Sequence, residues 1–349
     1  MAVASIISSS LDDLREWLQS AWSLTSWKAV LLIFAIANLK SLPLGWHFRI
    51  FYYFFRNLRY RADKPMIFDG KPPVDAKGRP THPIFGAATI VTRTSLLETD
   101  YNIHKSNSTY FADLDVSRTA LMSRLYSPGM GIVSRELDQE LSESDGSKPL
   151  KKKKKLPIYI ALGSVYCTFK RELKPYEKFE IRSQIVAWDE KWLYILSYFL
   201  KPEKKRSEGS GPTLAAVAVS KYVIKKGRLT VRPERVFRAS GFLPPRPDGD
   251  GATATPDSDM IGTPASSNSA QGITTAVDGS SLVREVLKLS ADQVPAQEVL
   301  ERQQKENSQS WSADEWTWER IEQERQRGLE LIQGYVTLDA KLHDEWNNL

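Results

Sequence analysis

Hydrophobic and polar positions divide the chain into unlike stretches. Residues 29–39 read AVLLIFAIANL, and between Trp22 and Leu44 the only charges are Lys28 and Lys40. A bilayer-spanning helix needs about 20 mostly apolar residues, a length reached only when the flanking Trp22–Trp27 and Leu42–Trp46 segments are counted. From His47 to Arg61 aromatic residues alternate with Arg49, Arg56, Arg59 and Arg61, a composition suited to a headgroup region. An N-terminal membrane helix, spanning or interfacial, is therefore expected over residues 1–62. The basic flank follows the apolar run while Asp12, Asp13 and Glu16 precede it. By the positive-inside rule, the rest of the chain would face the cytosol from a membrane-associated position.

Beyond a proline-rich connector at 63–83, the period changes. Gly86–Thr94 is a β-branched run and predicts a strand. Ser108–Tyr126 has helical spacing, with Phe111, Leu114, Leu121 and Leu125 on one face and Asp113, Ser117 and Arg124 turned outward. Ser127-Pro-Gly should stop it. Residues 134–155 read as a polar insert ending in five lysines, Lys151–Lys155. Four strands should follow. They are Pro157–Lys170, Phe179–Trp188, Trp192–Leu200 and Thr213–Lys225, the middle pair joined by a hairpin at Asp189–Lys191. In Phe179–Trp188 the alternation sets Phe179, Ile181, Ile185 and Ala187 against Arg182, Gln184 and Trp188. Strand, helix, then strands with short connections implies an α+β antiparallel sheet packed on one long helix. This domain is expected over 84–240, followed by a disordered linker at 241–285 and a helical tail at 286–349. From Ala291 the tail has 13 acidic and 6 basic residues, a net of −7. Ser312-Ala-Asp-Glu315 should open its helix, running to about Gly334 and packing back on the basic domain.

Charge and composition narrow the options. The formal net charge of +6 is too diffuse for a nucleic-acid partner. A single cysteine, Cys167, forbids an intrachain disulfide, and its strand position marks it as packing rather than nucleophile. Four histidines without paired spacing give no metal site, and nothing calls for a cofactor.

The chemistry-bearing segment lies between the first strand and the long helix. Asp100, Asn102, His104, Ser106 and Asn107 crowd one loop before Ser108 and Tyr110. A helix start offers free backbone N–H groups that can stabilise an oxyanion, and a nearby carboxylate can act as general base or nucleophile. Asp100-x3-His104-x2-Asn107-x2-Tyr110 resembles the motif of the hot-dog-fold acyl-CoA thioesterases. The likeness covers Gly86–Val236, including LKPYEKFEIRSQIVAWDEKWLYI and KGRLTVRPERV. It is nearest to the membrane-anchored proteins like thioesterase superfamily member six and to their fungal relatives, some encoded in secondary-metabolite clusters.

The resemblance implies a hot-dog fold, an acyl-thioester hydrolase acting on acyl-CoA or on an acyl chain held by a carrier protein, and a homodimer with the site near its interface. It assigns Asp100 as catalytic carboxylate, with His104 and Asn107 at the mouth of the helix and Tyr110 beside the acyl chain. Asn102, Ser106 and Ser108 would contact substrate. Two positions depart from the pattern. Ile103 stands where the motif has glycine, and Ser106 where it has asparagine. The alternative is a non-catalytic acyl-binding or scaffold protein that retains the fold.

Overall fold

The structure is a computed structural model describing residues 15–17, 19–20, 26–57, 73–143, 156–202, 211–244, 297–308 and 315–348. Ahead of the domain, residues 15–17 and 19–20 are helical, as are 26–37 (α1), and α2 spans Gly45–Asn57. Strand β1 (Ala88–Arg93) leads into the long helix α3 (Thr109–Glu143), and β2 (Ile158–Phe169), β3 (Lys178–Trp188), β4 (Trp192–Lys201), β5 (Thr213–Lys226) and β6 (Leu229–Val231) follow. Helix α4 (Pro233–Ala239) closes the domain, and α5 (Gln297–Ser308) and α6 (Trp318–Asn348) form the tail.

The sheet is antiparallel in the order β1-β3-β4-β5-β2, with β6 paired to β5. Strands β1 and β2 lie at opposite edges, so α3, which connects them, has to cross one face of the sheet. That crossing produces the wrapped helix of the hot-dog fold. Leu114, Val116, Leu121 and Leu125 of α3 are fully or almost fully buried, within the clusters that hold Ile181, Ile185, Ile195 and Phe199 of the sheet. The other face is covered too. Val186, Tyr194 and Leu196 cluster with Ile332 of α6. The close approach falls at Gly328, where an added Cβ would lie 1.8 Å from the Val186 carbonyl oxygen. The acidic tail thus packs back on the domain, as expected.

Several expectations need correction. Among the described residues no helix is long and apolar enough to cross a membrane. Helix α1 ends at Asn38, whose side-chain amide donates to the Phe34 carbonyl at 2.8 Å. A 3-10 turn at Leu39–Ser41 and a left-handed Leu44 (φ 66°) then redirect the chain into α2. Helix α3 does not stop at Ser127 but runs through Pro128 to Glu143, taking in the first part of the supposed insert. Packing outweighs the breaker. Gly129 sits so close to α4 that a Cβ there would come 2.4 Å from the Val236 carbonyl oxygen, and its amide donates to Ser240 Oγ.

The faces of β3 also differ from simple alternation. A bulge between Ile185 and Ala187 shifts the register, so Trp188 joins Ile185 in the core while Ala187 turns to α6. Asp113 and Ser117 face inward and are fully buried. The Ser117, Ser183 and Ser197 hydroxyls form a chain with both links at 2.7 Å. Helix α6 begins at Trp318 rather than near Ser312 and continues past Gly334 to Asn348. The Lys151–Lys155 run, residues 245–285 of the linker and Ser312 itself lie outside the described residues.

Candidate active site

The loop between β1 and α3 is a compact hairpin turn. A 3-10 turn at Leu96–Glu98 opens it, with the Ser95 amide donating to Glu98 Oε2 at 3.0 Å. Thr99 and Lys105 then form an isolated antiparallel bridge. Within the turn, the Asp100 amide donates to the His104 carbonyl and the Ile103 amide to the Asp100 carbonyl, both at 3.0 Å. Asp100 Oδ1 accepts from the Asn102 amide at 2.9 Å and lies 3.5 Å from His104 Nδ1. Ile103 takes φ 59° with its side chain 71% exposed. The left-handed geometry that glycine adopts freely is thus kept here by a β-branched residue.

The turn brings Asp100, Asn102 and His104 together at the surface, the Asp100 and His104 side chains partly exposed. Ser106 Oγ and Ser108 Oγ are 3.0 Å apart. The Thr109, Tyr110 and Phe111 amides bond back to the carbonyls of Ser106, Asn107 and Ser108 at 3.0, 3.4 and 3.4 Å, so the first turn of α3 is less open to a ligand than a bare helix end. Asn107 and Ser108 are exposed. Tyr110 is not gathered with them. It is buried, with its ring centroid 4.9 Å from those of both Phe169 and Phe199, and burial pushes its hydroxyl above the ordinary range. Cys167 is half-buried in β2, and burial pushes its thiol up to about 11; a thiol held so high is a poor nucleophile.

Sequence reasoning missed what lies beneath the turn. Asp113, fully buried, receives Arg49 at 2.8 Å, Lys105 at 2.9 Å and Lys40 at 3.2 Å. Glu98 takes Lys40 at 2.8 Å and Lys105 at 3.4 Å. Burial raises the Asp113 pKa, but Lys40, Lys105 and Arg49 outweigh it and hold the carboxyl at about 2. The Lys105 ammonium also sits 5.3 Å from the Tyr110 ring centre. One signal was available: Asp113 falls three residues after Tyr110 and one before Leu114, on the face that the spacing turns inward. Asp115, by contrast, pairs with Arg118 along the helix, and Arg118 is itself buried and donates to Ser220 at 2.8 Å.

A long helix wrapped by an antiparallel sheet in this strand order is the hot-dog fold. The thioesterase-like superfamily model matches residues 95–236. Thioesterase lcsJ of Purpureocillium lilacinum is 33% identical over 335 residues, which is 93% of this chain and 94% of the relative. Probable thioesterase atnL of Emericella nidulans is 34% identical over 225 residues, 61% of this chain and 71% of the relative. The crystallised dynemicin thioesterase is similar at 12% identity and a TM-score of 0.30, over 44% of this chain and 95% of that one. The chain belongs to the thioesterase-like superfamily, whose chemistry is hydrolysis of thioester bonds.

Proposed function

We propose that the chain hydrolyses acyl thioesters, carried on coenzyme A or on a carrier protein, with Asp100 as the catalytic carboxylate. The observation that carries this is the Asp100–His104 turn. It fixes a carboxylate at the surface, one short step before α3, by backbone hydrogen bonds at both of its ends. Asp100 accepts a proton from water, and the oxygen adds to the thioester carbonyl. The amides of Asn107 and Ser108, just ahead of those that bond back into the helix, serve as donors to the oxyanion. Collapse expels the thiolate and leaves a free acid. A thiolate leaves readily, so the site needs little help from a general acid. His104 orients Asp100, and Asn102, Ser106 and Ser108 contact the substrate.

A homodimer belongs to the same reading, paired through the β2 edge of the sheet, where Tyr166 and Phe169 are 48% and 39% exposed. The resemblance to fungal thioesterases, some of them encoded in secondary-metabolite clusters, suggests a role of that kind. A membrane-associated position, with the hydrolytic domain toward the cytosol, completes the reading.

The test is thiol release from acyl-CoAs of graded chain length. Asp100→Asn is expected to lower kcat/KM by about 10²–10⁴-fold with an unchanged melting profile. Full activity in that variant would remove Asp100 from the mechanism. Acyl-CoA binding without any thiol release by the unaltered protein would leave only an acyl-binding module.

A further inference from the structure

Taking Asp100 as the catalytic carboxylate, the reading on which this depends, we infer that Lys40 is a positioning residue: it closes a ring of four buried charges that holds the Asp100 turn against the start of α3. The ring alternates in sign. Lys40 Nζ lies 2.8 Å from Glu98 and 3.2 Å from Asp113, and Lys105 Nζ lies 2.9 Å from Asp113 and 3.4 Å from Glu98. Each charge therefore has two opposite neighbours. The side chains of Lys105 and Asp113 are fully buried, and those of Glu98 and Lys40 are 9% and 15% exposed.

Its members come from three parts of the chain. Glu98 and Lys105 stand on the two legs of the turn, one before Asp100 and one after His104, where Thr99 and Lys105 bridge. Asp113 belongs to the first turns of α3. Lys40 arrives from the connector between α1 and α2, well ahead of the matched segment 95–236. That connector grips the turn by neutral bonds as well. Asn38 Oδ1 accepts from the Leu97 amide at 3.0 Å, and the Ser41 and Ser95 hydroxyls are bonded to each other. Lys40 thus meets Glu98 with its backbone already held on both sides. Arg49 of α2, 2.8 Å from Asp113, is a fifth charge outside the ring. Without Lys40, the turn and α3 would be joined in the ring through Lys105 alone.

Stability alone does not account for such a ring. The cost of desolvating four charges offsets much of their attraction, and apolar residues of similar size often serve a core as well or better. What the ring supplies is geometry. Moving any member stretches two attractions at once, in an interior where they are stronger than in water. The height of the turn over the amides at the mouth of α3 is set that way. Asp100 and those amides have to converge on one carbonyl group, and a misplacement of about 1 Å can cost about 10²-fold in rate. Lys40 acts through Glu98 and Asp113, not on the substrate.

Lys40→Met in the whole chain tests this by two measurements. In thiol release from an acyl-CoA, kcat should fall about 10–100-fold, with KM within about twofold of the unaltered protein. In hydrogen exchange, the Asp100 and Ile103 amides, which bond across the turn, should exchange about tenfold faster while the amides of β4 keep their rates. Lys40→Arg keeps the charge and should restore most of kcat. The double variant Lys40→Met, Glu98→Gln removes one charge of each sign, so its unfolding midpoint should return toward that of the unaltered protein while kcat stays low. Full kcat in Lys40→Met or in the double variant would overturn the proposal. So would unchanged exchange of the turn amides, or faster exchange throughout the sheet, which would make Lys40 a support of the fold at large. Should Lys40→Met fail to fold, the double variant carries both measurements. Failure of the ring and failure of Asp100 are told apart. Full activity in Lys40→Met beside an inactive Asp100→Asn sinks the ring alone, and full activity in Asp100→Asn sinks the carboxylate reading on which the ring's role depends.

Discussion

At the scale of single residues, the site combines strain with a buried charge cluster. Ile103 holds φ 59° where its Cβ is unwelcome, and its exposed side chain gains little from packing. A left-handed residue with a Cβ costs about 1–2 kcal/mol, and glycine gives part of that back as extra freedom in the unfolded chain. Ile103→Gly is therefore expected to stabilise the protein by about 0.5–1 kcal/mol, read as a higher urea midpoint at unchanged slope; a lower midpoint would mean that the isoleucine side chain is held by a contact such as a second copy.

Asp113 acts in the opposite direction. Its carboxyl sits at about 2 in the folded protein against 3.8 unfolded, so its contribution to stability is complete above about pH 4 and is lost as pH falls toward 2. Acid unfolding should steepen in that window. Asp113→Asn should remove the steepening and cost about 3–5 kcal/mol, the usual result of leaving buried cations without their partner. The two residues also mark how far the sequence can be read. The 100–110 segment is legible because its groups are neighbours in the chain. Asp113 looks like a solvated acid until Lys40 arrives from 73 residues away.

At the scale of elements, periodicity found nearly every strand to within about two residues, and failed where a tertiary contact overrides a local rule. Ser127-Pro-Gly is a sound stop signal taken alone. In the folded chain Gly129 is the position where α4 presses on α3, and burial of Met130 and Val133 beyond it keeps the helix going. The bulge at Val186 is equally invisible in sequence, since it only moves one residue of an apolar run to the other face. Its purpose appears from α6. With Val186 and Ala187 turned outward, the Val186 carbonyl meets Gly328 and the Trp188 carbonyl accepts from Arg325 at 2.6 Å. Gly328→Ala should therefore push α6 off the sheet at a cost of about 1–3 kcal/mol. Limited proteolysis is the direct measure: cleavage within 318–348 should accelerate, while the 95–236 region stays protected. An unchanged cleavage rate would mean that the helix tilts to make room.

At the scale of the whole molecule, the sheet is buried on both faces by helices from one chain, α3 inside and α6 outside. A sheet with a free apolar face would associate through it, and the outer face is apolar: Tyr194 and Leu196 cluster there with half-buried Val217 and Val219. Covering that face with α6 directs association elsewhere. Strand β2 stands at one edge of the sheet order with Tyr166 and Phe169 exposed at 48% and 39%, and Phe169 there packs against the Tyr110 ring. Polar ties hold the cover over that side of the sheet: Tyr335 and Ser164 hydroxyls meet at 2.6 Å, and Lys221 pairs with Asp339. Deleting residues 309–349 should thus uncover the outer face, raise binding of an apolar dye, and convert a discrete species into larger assemblies in light scattering. If the truncated chain kept its original mass and bound no more dye, the outer face would not be the surface that α6 protects, and the helix would have to be explained by what it presents on its own exposed side, at Leu331, Leu338 and Leu342.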